Sequence, residues 1–374
     1  MRVVQLLTQR AGGPVDHAVD VAVGLAGRGH ESHVIGPESD GTARARAAGV
    51  TWHPLEMATK KDLAGGAGVA RRLVSLRPDV VHLQDRRAGW VGRLLARNLG
   101  GAGVVYTLHG VADGLSDLVP GNALAAPRRR RDRLYYLDGE RAVTRWSRAR
   151  VVVPSTAVAR FALDHVRLDP ARVDVVPNGV DPVRFAPTPA SAGTPSRPPT
   201  ALWLGVLGEV KRVDVLLDAA ERVPDLRLLV AGDGPLLPDV ERRVAQAGLA
   251  GRVSLLGRLH DPAPVFARAD LFALTSAAEN CPLALLQAMS CGLPAVASAV
   301  GGVPEVLRDG VDGVLCAAGD VAGFAEGLRT LAGDPSGRRR MGESARARVL
   351  DGYTMDHCLD GLLESYAKAR SCAR

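Results

Sequence analysis

The stretch Glu279–Glu305, ENCPLALLQAMSCGLPAVASAVGGVPE, contains no charged residue between its two terminal carboxylates. A membrane-spanning helix needs about 20 consecutive apolar residues, whereas this stretch contains polar side chains and has Pro294 near its middle. Proline breaks a helix interior and disfavours helical backbone at the residue before it. We therefore predict a helix over 283–291, a tight turn, a buried strand over 295–298, and a Gly-Gly turn into a second helix at Pro304.

The same alternation of apolar runs and helical patterns extends along the whole chain. Between the first two predicted strands, apolar residues recur at helical spacing, with Pro14 in the first turn and Gly27 and Gly29 at the end. Alternating strands and helices predict parallel sheets covered by helices on both faces, so the fold class is α/β. The predicted strands are 2–8, 33–36, 79–83, 104–108, 151–154 and 173–177, then 201–206, 226–231, 253–256, 271–274, 295–298 and 313–316.

A chain of 374 residues suits two domains, each with its own core. Residues 185–200, FAPTPASAGTPSRPPT, have no apolar periodicity and contain five prolines, which is typical of a linker. The predicted organisation is a first domain (1–183), a linker (184–200), a second domain (201–353) and a C-terminal helix (354–374) suited to pack back on the first domain. Two doubly wound domains leave a cleft between them, and ligands of such sheets bind at the carboxyl ends of the strands.

The cysteine content and the N-terminal sequence indicate the cellular compartment of the protein. Five cysteines, an odd number with no CxxC pair, disfavour a zinc site or a disulfide framework. The N-terminus lacks the pattern of a signal peptide, and no other segment reaches spanning length. A reduced, cytoplasmic protein with buried thiols is the expectation.

The formal net charge of +7 is concentrated locally. Arg128–Arg150 contains nine arginines against two aspartates and one glutamate, a balance of +6. Nucleic acid, an anionic membrane surface and an anionic substrate are candidate partners for such a patch. A solvated basic helix face is the first interpretation, and no nucleic-acid motif accompanies the patch, so no nucleic-acid partner is predicted. The aromatic residues among the arginines leave peripheral contact with the cytoplasmic face of a membrane open.

Several loops that follow predicted strands carry residues suited to chemistry. Gly12-Gly13 precede a helix, whose N-terminus favours an anion, although Gly-Gly is also common in plain turns. A GxGxxG motif is absent, which disfavours a dinucleotide oxidoreductase. His109 follows a strand, where it either hydrogen-bonds a substrate or is a satisfied structural histidine. Lys211 suits a phosphate, with a surface Lys-Arg pair as the alternative.

The opening stretch adds a second group of candidates. Glu279 and Gln287 are eight residues apart and share a helix face only if the helix begins near Glu279. Their side chains suit hydrogen bonds with sugar hydroxyls. Gly301-Gly302 precede a predicted helix and form a second candidate anion site. Two phosphate sites, a lysine and polar groups together describe a nucleotide diphosphate sugar.

Four stretches carry a resemblance to a known family. They are GGPVDHAVDVAVGLAGRGHESHVIG, VVPNGVDPVRF, LVAGDGPL and ENCPLALLQAMSCGLPAVASAVGGVPEVLRDGVDGVL, and together they span nearly the whole chain. The sequence resembles the retaining glycosyltransferases of family 4, which have the GT-B fold of two Rossmann-like domains and an interdomain cleft. The resemblance implies that the donor nucleotide lies on the C-terminal domain and the acceptor on the N-terminal one. It also implies catalysis without a metal or cofactor and with retention of the anomeric configuration.

The resemblance also implies roles for individual residues. Gly13, with Gly12, would approach the donor phosphates, His109 would contact the donor sugar, and Lys211 would hold the pyrophosphate. Glu279 would bind sugar hydroxyls from one end of the E-x7-E motif of the family. The backbone amides of three residues would assist with phosphate: Gly301, Gly302 and Val303.

Two positions depart from the family pattern. Val206 stands where an arginine is usual, five residues before Lys211, and Gln287 replaces the second glutamate of E-x7-E. A charged hydrogen bond is worth about 1.5–3 kcal/mol, so the phosphate clamp is weakened unless Arg212 compensates. Gln287 keeps an acceptor without its charge, so ribose binding should weaken but persist.

The predicted activity is transfer of a sugar from a UDP- or GDP-sugar to a hydroxyl of a small molecule, a glycan or a lipid-linked acceptor. Lys211 and the helix N-termini would stabilise the departing diphosphate while the acceptor attacks from the same face. Two alternatives stay open. One is another GT-B enzyme, such as a nucleotide-sugar 2-epimerase or a phosphorylase. The other is a pseudo-glycosyltransferase that binds nucleotide or supports an active partner.

Overall fold

A computed structural model of the chain describes residues 1–59, 62–96, 101–188, 198–246 and 248–372. The chain forms two compact α/β units. The first unit comprises Met1–Val119, Arg128–Gly179 and the residues from Met355 onward. The second unit comprises Pro120–Pro127 and Val180–Thr354.

The first unit is built on a parallel sheet of seven strands in the order β3-β2-β1-β4-β5-β6-β7. Six of them are the strands predicted from the apolar runs, and β3 was missed. Its sequence, TWHP, is short and ends in proline, which sheets tolerate at an edge such as the one β3 occupies. The strands are β1 (Arg2–Leu6), β2 (Glu31–Gly36), β3 (Thr51–Pro54), β4 (Val80–Leu83), β5 (Gly103–Thr107), β6 (Arg150–Val153) and β7 (Val173–Val175).

Helices cover both faces of this sheet. Successive residues of a strand point to opposite faces, so Val4 of β1 and Val81 of β4 join one core, whereas Val3 and Val80 join another. The helices between these strands are α1 (Gly13–Gly27), α2 (Thr42–Ala47), α3 (Leu63–Leu76), α4 (Arg86–Ala96), α5 (Arg130–Arg133), α6 (Gly139–Ser147) and α7 (Thr156–Asp164).

The second unit repeats the architecture with six parallel strands in the order β10-β9-β8-β11-β12-β13. All six were predicted from sequence. They are β8 (Thr200–Leu204), β9 (Arg227–Ala231), β10 (Val253–Gly257), β11 (Leu271–Leu274), β12 (Ala295–Ser298) and β13 (Gly313–Cys316). The helices are α8 (Val213–Glu221), α9 (Leu237–Val244), α10 (Ala263–Phe266), α11 (Leu283–Ser290), α12 (Val303–Val306), α13 (Val321–Gly333) and α14 (Pro335–Gly352).

The stretch Glu279–Glu305 folds as helix α11, a turn, strand β12 and the short helix α12. Gly292 in the turn has a φ of +77°, the left-handed conformation that glycine adopts without a steric penalty. All four residues of β12 are buried, which matches an uncharged central strand.

The last helix, α15 (Met355–Ser371), belongs to the first unit, although the second unit intervenes in sequence. Its Leu359, Leu362 and Tyr366 are buried in the core that also contains Val3 and Val105. One face of the first sheet is therefore covered by the end of the chain together with α1, whose Val21 and Leu25 lie in the same core.

The unit boundaries differ in detail from the sequence-based division. The second unit starts at Val180, and Phe185, the first residue of the Pro-rich stretch, is fully buried in its core. The central part of the predicted linker, residues 189–197, lies outside the described residues. Pro120–Pro127, from the middle of the predicted first domain, packs with the second unit, and the sequence contains no sign of this excursion.

Candidate active site

In the first unit, the turn after β1 leads directly into α1. Gly12 is the N-cap with a φ of +104°, so a side chain there would be strained. The N–H groups of Val15 and Asp16 both donate to the Gly12 carbonyl, and Pro14 has no N–H. Within the described residues, the N–H groups of Gly12 and Gly13 have no partner, and a Cβ at Gly13 would meet nothing within 4 Å. The turn therefore has two open amides and room beside them.

His109 follows β5 and is held by an amide side chain. Its Nε2 lies 2.7 Å from Oε1 of Gln84, and Nε2 of Gln84 donates to Oε1 of Gln5 at 2.7 Å, which fixes the orientation of the Gln84 amide. Since an amide oxygen only accepts, His109 carries its hydrogen on Nε2 and its Nδ1 is an acceptor. Burial lowers the pKa of His109 well below its ordinary value, so the ring is neutral.

The bonds that hold His109 continue to α15. Nε2 of Gln84 lies 3.2 Å from Nδ1 of His82, and His82 bonds Oη of Tyr366 at 2.7 Å and Oγ1 of Thr107 at 2.6 Å. Burial lowers the pKa of His82 well below the usual range as well. Gln84 was not among the predicted site residues, although its position is a detectable signal: it directly follows the predicted strand 79–83, as His109 follows 104–108.

A second histidine lies against His109. His17 is on α1, its ring centroid is 4.9 Å from that of His109, and the rings meet edge to face at 73°. His17 is only 2% exposed, and burial lowers its pKa to about 4. Neither of its ring nitrogens has a hydrogen-bond partner among the described residues. No signal in the sequence marks His17, because it occupies one of the buried positions of an ordinary helical pattern.

In the second unit, the structure brings Lys211 and Glu279 together. Lys211 ends a 3₁₀ turn after β8, Glu279 lies in the loop after β11, and Lys211 Nζ is 2.5 Å from Glu279 Oε1. Ser276 Oγ donates to the same oxygen at 2.7 Å. Glu279 is 9% exposed and Lys211 is 30% exposed, so the ammonium remains accessible. Ser276, a further polar residue at this strand end, was missed by the sequence reasoning.

Gly301 packs directly on the Glu279 backbone. Its φ is +48°, and a Cβ there would lie 1.8 Å from the Glu279 carbonyl oxygen. Oδ1 of Asn122, from the segment Pro120–Pro127, accepts the Glu279 N–H at 3.0 Å and lies beside Gly301. Within the described parts of the chain, the N–H groups of Gly301 and Gly302 have no partner.

The structure bears on two expectations about these elements: the Val303 amide as a phosphate donor, and a helix face shared by Glu279 and Gln287, which required a helix that begins near Glu279. The Val303 N–H already donates to the Val300 carbonyl at 2.9 Å, and α12 has only four residues, so neither this amide nor a strong helix dipole is available to a phosphate. Helix α11 begins at Leu283, so Glu279 precedes it and does not share a helix face with Gln287. Gln287 itself is on α11 and is 8% exposed.

The structure shows what surrounds Val206, which departs from the family pattern, and Arg212, which could compensate for it. Val206 is exposed in the loop after β8. Arg212 does not replace the missing arginine in this structure, because its Nε and Nη2 are engaged by the Asp214 carboxylate at 3.0 and 2.7 Å. Lys211 is thus the cation that this loop directs to Glu279.

Three further features bear on function. Across the described ranges, no group of three histidine, cysteine, aspartate or glutamate side chains is placed to hold a metal ion. No helix in those ranges is long and apolar enough to cross a bilayer. The five cysteines, all among the described residues, form no disulfide; Cys281, Cys316 and Cys358 are buried, whereas Cys291 is half-buried and Cys372 is exposed, so the expectation of buried thiols fails at the last two.

Comparison with known proteins agrees with this architecture. Residues 11–184 match the description Glycosyltransferase Family 4, and residues 186–348 match Glycosyl transferases group 1. A D-inositol 3-phosphate glycosyltransferase of Mycolicibacterium paratuberculosis is 33% identical over 97% of this chain and 87% of its own length. The enzyme of the same name from Mycobacterium tuberculosis strain H37Ra is also 33% identical, over 84% of this chain and 68% of its own.

Two solved structures show the same fold. The Anabaena protein HepE in complex with UDP and glucose superposes with a TM-score of 0.82 at 19% identity, over 98% of this chain and 99% of its own. Sucrose-phosphate synthase from Thermosynechococcus elongatus has a TM-score of 0.81 at 20% identity, over the full length of both chains. The chain belongs to the family 4 glycosyltransferases and has the GT-B fold. It is a transferase of the class that uses nucleotide-sugar donors.

Proposed function

We propose that the chain is a retaining, metal-independent glycosyltransferase that moves a sugar from a nucleoside diphosphate sugar to an acceptor hydroxyl. The observation that carries this proposal is the Lys211–Glu279 pair, which lies at strand ends of the second unit and is backed by Ser276 and Gly301. It combines a fixed cation, a carboxylate and two open amides, which suit the diphosphate and the hydroxyls of one donor.

The mechanism is stabilisation of the leaving group. As the bond from the anomeric carbon to the phosphate oxygen breaks, its electron pair goes to the diphosphate, and Lys211 with the Gly301 and Gly302 amides stabilises that charge. The acceptor oxygen forms the new bond on the same face and gives its proton to the departing phosphate oxygen. Once a donor phosphate has replaced Glu279 as the partner of Lys211, Glu279 accepts hydrogen bonds from the sugar hydroxyls and so orients the donor.

The first unit is the proposed acceptor side, with His109 contacting the transferred sugar. UDP is the first nucleotide to test, because HepE is described with UDP, with UDP and glucose, and with UDP-glucose. GDP is the alternative. The name of the relatives supports a phosphorylated polyol, D-inositol 3-phosphate, as the first acceptor to test among small molecules, glycans and lipid-linked compounds.

Peripheral contact with an anionic membrane is a second, separate part of the proposal. Leu134, Tyr135 and Trp146 are exposed in the basic stretch, and amphipathic surfaces of this composition bind anionic lipid. Arg150 does not belong to that surface, because it is buried against Asp174 at 2.6 Å. Cosedimentation with phosphatidylserine vesicles tests the contact, and binding that is absent, or insensitive to salt, would count against it.

The transferase proposal is tested with the purified chain, UDP- or GDP-sugars, and candidate acceptors in excess EDTA. Proton NMR of the first-formed product then gives its anomeric configuration. We expect transfer in EDTA and the configuration of the donor. Inversion, or activity that EDTA abolishes and magnesium restores, would refute the mechanism. Donor epimerisation would favour the epimerase alternative, and nucleotide binding without turnover would favour a pseudo-glycosyltransferase.

A further inference from the structure

His17 is an exception to the rule that buried polar groups have hydrogen-bond partners. The large majority of buried side-chain nitrogens have a hydrogen-bond partner, and leaving one without a partner costs about 1–3 kcal/mol. His17 is 2% exposed, yet Nδ1 and Nε2 both lack a partner among the described residues. A leucine or phenylalanine in this position of α1 would avoid that cost.

The place of this imidazole explains what it could bind. Its ring lies against His109, 4.9 Å between centroids, and α1 begins at Gly12-Gly13, the turn with two open amides. His109 is fixed by Gln84 with Nδ1 as its acceptor. Two imidazoles, one of them held in a known tautomer, thus lie side by side within the first unit.

The charge state of His17 and His109 indicates which kind of ligand group they can bind. Burial lowers the pKa of His17 to about 4 and that of His109 well below the ordinary value, so both are neutral at pH 7. A neutral imidazole donates one hydrogen bond and accepts one, which matches a hydroxyl group. A phosphate would instead favour a cation.

We infer that His17 is a further ligand-binding residue, which hydrogen-bonds a hydroxyl group of a sugar or polyol beside His109. This inference rests on the proposed function for the identity of its ligands. A bound hydroxyl would give one of the two nitrogens its partner, so part of the stability lost there is recovered on binding.

His17→Phe separates this role from a structural one. If the nitrogens serve only a ligand, replacing the imidazole with an apolar ring of similar shape leaves the Tm of the ligand-free protein unchanged or raises it. The same variant should bind UDP-glucose or D-inositol 3-phosphate at least tenfold more weakly in calorimetry. The affinity for UDP alone, which lacks the transferred sugar, should be unchanged.

His33→Phe is the matched control. His33 is also a buried histidine of the first unit, but its ring bonds His53 and Glu31, both at 3.1 Å. This variant should lower the Tm and leave all three affinities unchanged. His17→Gln, which keeps a donor and an acceptor, should restore part of the lost affinity and serves as the variant if His17→Phe does not fold.

Each other outcome overturns the inference. A lower Tm for His17→Phe with unchanged affinities would show a structural histidine satisfied by water. Equal weakening of UDP and UDP-glucose would show a contact with the nucleotide instead of a sugar hydroxyl. Because binding and Tm are measured without turnover, a chain that binds through His17 but transfers nothing would refute the proposed function and leave this inference intact.

Discussion

The two units differ in the charge of the side chains at their strand ends. The first unit groups three neutral imidazoles: His82 and His109 belong to a buried network of amides and hydroxyls, and His17 lies against His109 with no hydrogen-bond partner among the described residues. The second unit places an accessible ammonium against a carboxylate, with two open amides beside them. On the proposed function, charge lies where the diphosphate departs, and hydroxyl recognition relies on imidazoles that stay neutral at pH 7.

Lowering the pH should give the largest effect, because it should reduce the free energy of unfolding of the first unit more than that of the second. Unfolded histidine has a pKa of about 6.5, and burial lowers the pKa of His17 to about 4 and those of His82 and His109 well below 6.5. Below pH 6.5 the unfolded chain therefore binds more protons, and the stability of the first unit falls. At pH 5 the loss from His17 alone is about 2 kcal/mol, and His82 and His109 add to it in the same direction.

Protection factors from hydrogen exchange at pH 7 and pH 5 measure this difference for each unit. His260, the histidine in the sequence of the second unit, is exposed. Burial acts to raise the pKa of Asp312, but hydrogen bonds from Arg308 and Ser344 lower it overall, so that contribution is lost only below about pH 3.8. Equal loss of protection in both units at pH 5 would contradict the expected difference in acid stability between them.

Lys211→Ala should give the next largest effect. Removing the cation leaves the developing diphosphate charge to amides alone, and loss of one preorganised donor typically lowers kcat by about 10²–10³-fold. The fold should remain, because Lys211 is partly exposed and the 3₁₀ turn is held by backbone bonds. Lys368→Ala is the control, since Lys368 pairs with Asp174 in the first unit. Wild-type kcat/KM in Lys211→Ala would remove Lys211 from the mechanism.

Gly13→Ala tests whether the first unit also meets phosphate. The added Cβ meets nothing within 4 Å, and replacing glycine by alanine at a compatible backbone position stabilises by about 0.4–1 kcal/mol through the unfolded chain, so the Tm should rise slightly. If donor phosphates approach the Gly13 backbone, the same methyl group should raise the KM for the nucleotide sugar about tenfold, or about 1.4 kcal/mol. A higher Tm with an unchanged KM would confine phosphate contact to the second unit.

Gln287→Glu should give the smallest change. The substitution restores the carboxylate that the family usually has and should tighten binding of the free nucleoside diphosphate severalfold, less than a full charged hydrogen bond because a carboxylate on buried α11 is partly desolvated. Calorimetry with UDP and GDP measures it. A weaker Kd would show that the pocket around Gln287 is built for an amide.

Much of this architecture was predictable because parallel strands buried on both faces read as uninterrupted apolar runs. Residues that follow such runs could be placed at strand ends by the same reasoning, as with His109 directly after its predicted strand and Glu279 in the loop after β11. The edge strand β3 could not, since Thr51–Pro54 has neither the length nor the apolar content of a central strand.

Other features depend on tertiary contacts that no local pattern encodes. His17 looks like any buried helix residue until its missing partners are seen. The Val303 amide looked available until the structure showed its bond to Val300. Asn122 braces Glu279 from a segment 157 residues away in sequence, beyond any periodicity argument.

The position of α15 has a consequence for synthesis on the ribosome. The strand residues Val3, Val80, Val105 and Val152 share one core with Val21 and Leu25 of α1 and with the last helix of the chain, α15. Residues 180–354 must be translated before α15, which takes roughly 10–35 s at about 5–20 residues per second. Throughout that interval the nascent first sheet lacks the part of its apolar cover that α15 supplies. A truncation before Met355 would leave that part of the sheet exposed permanently.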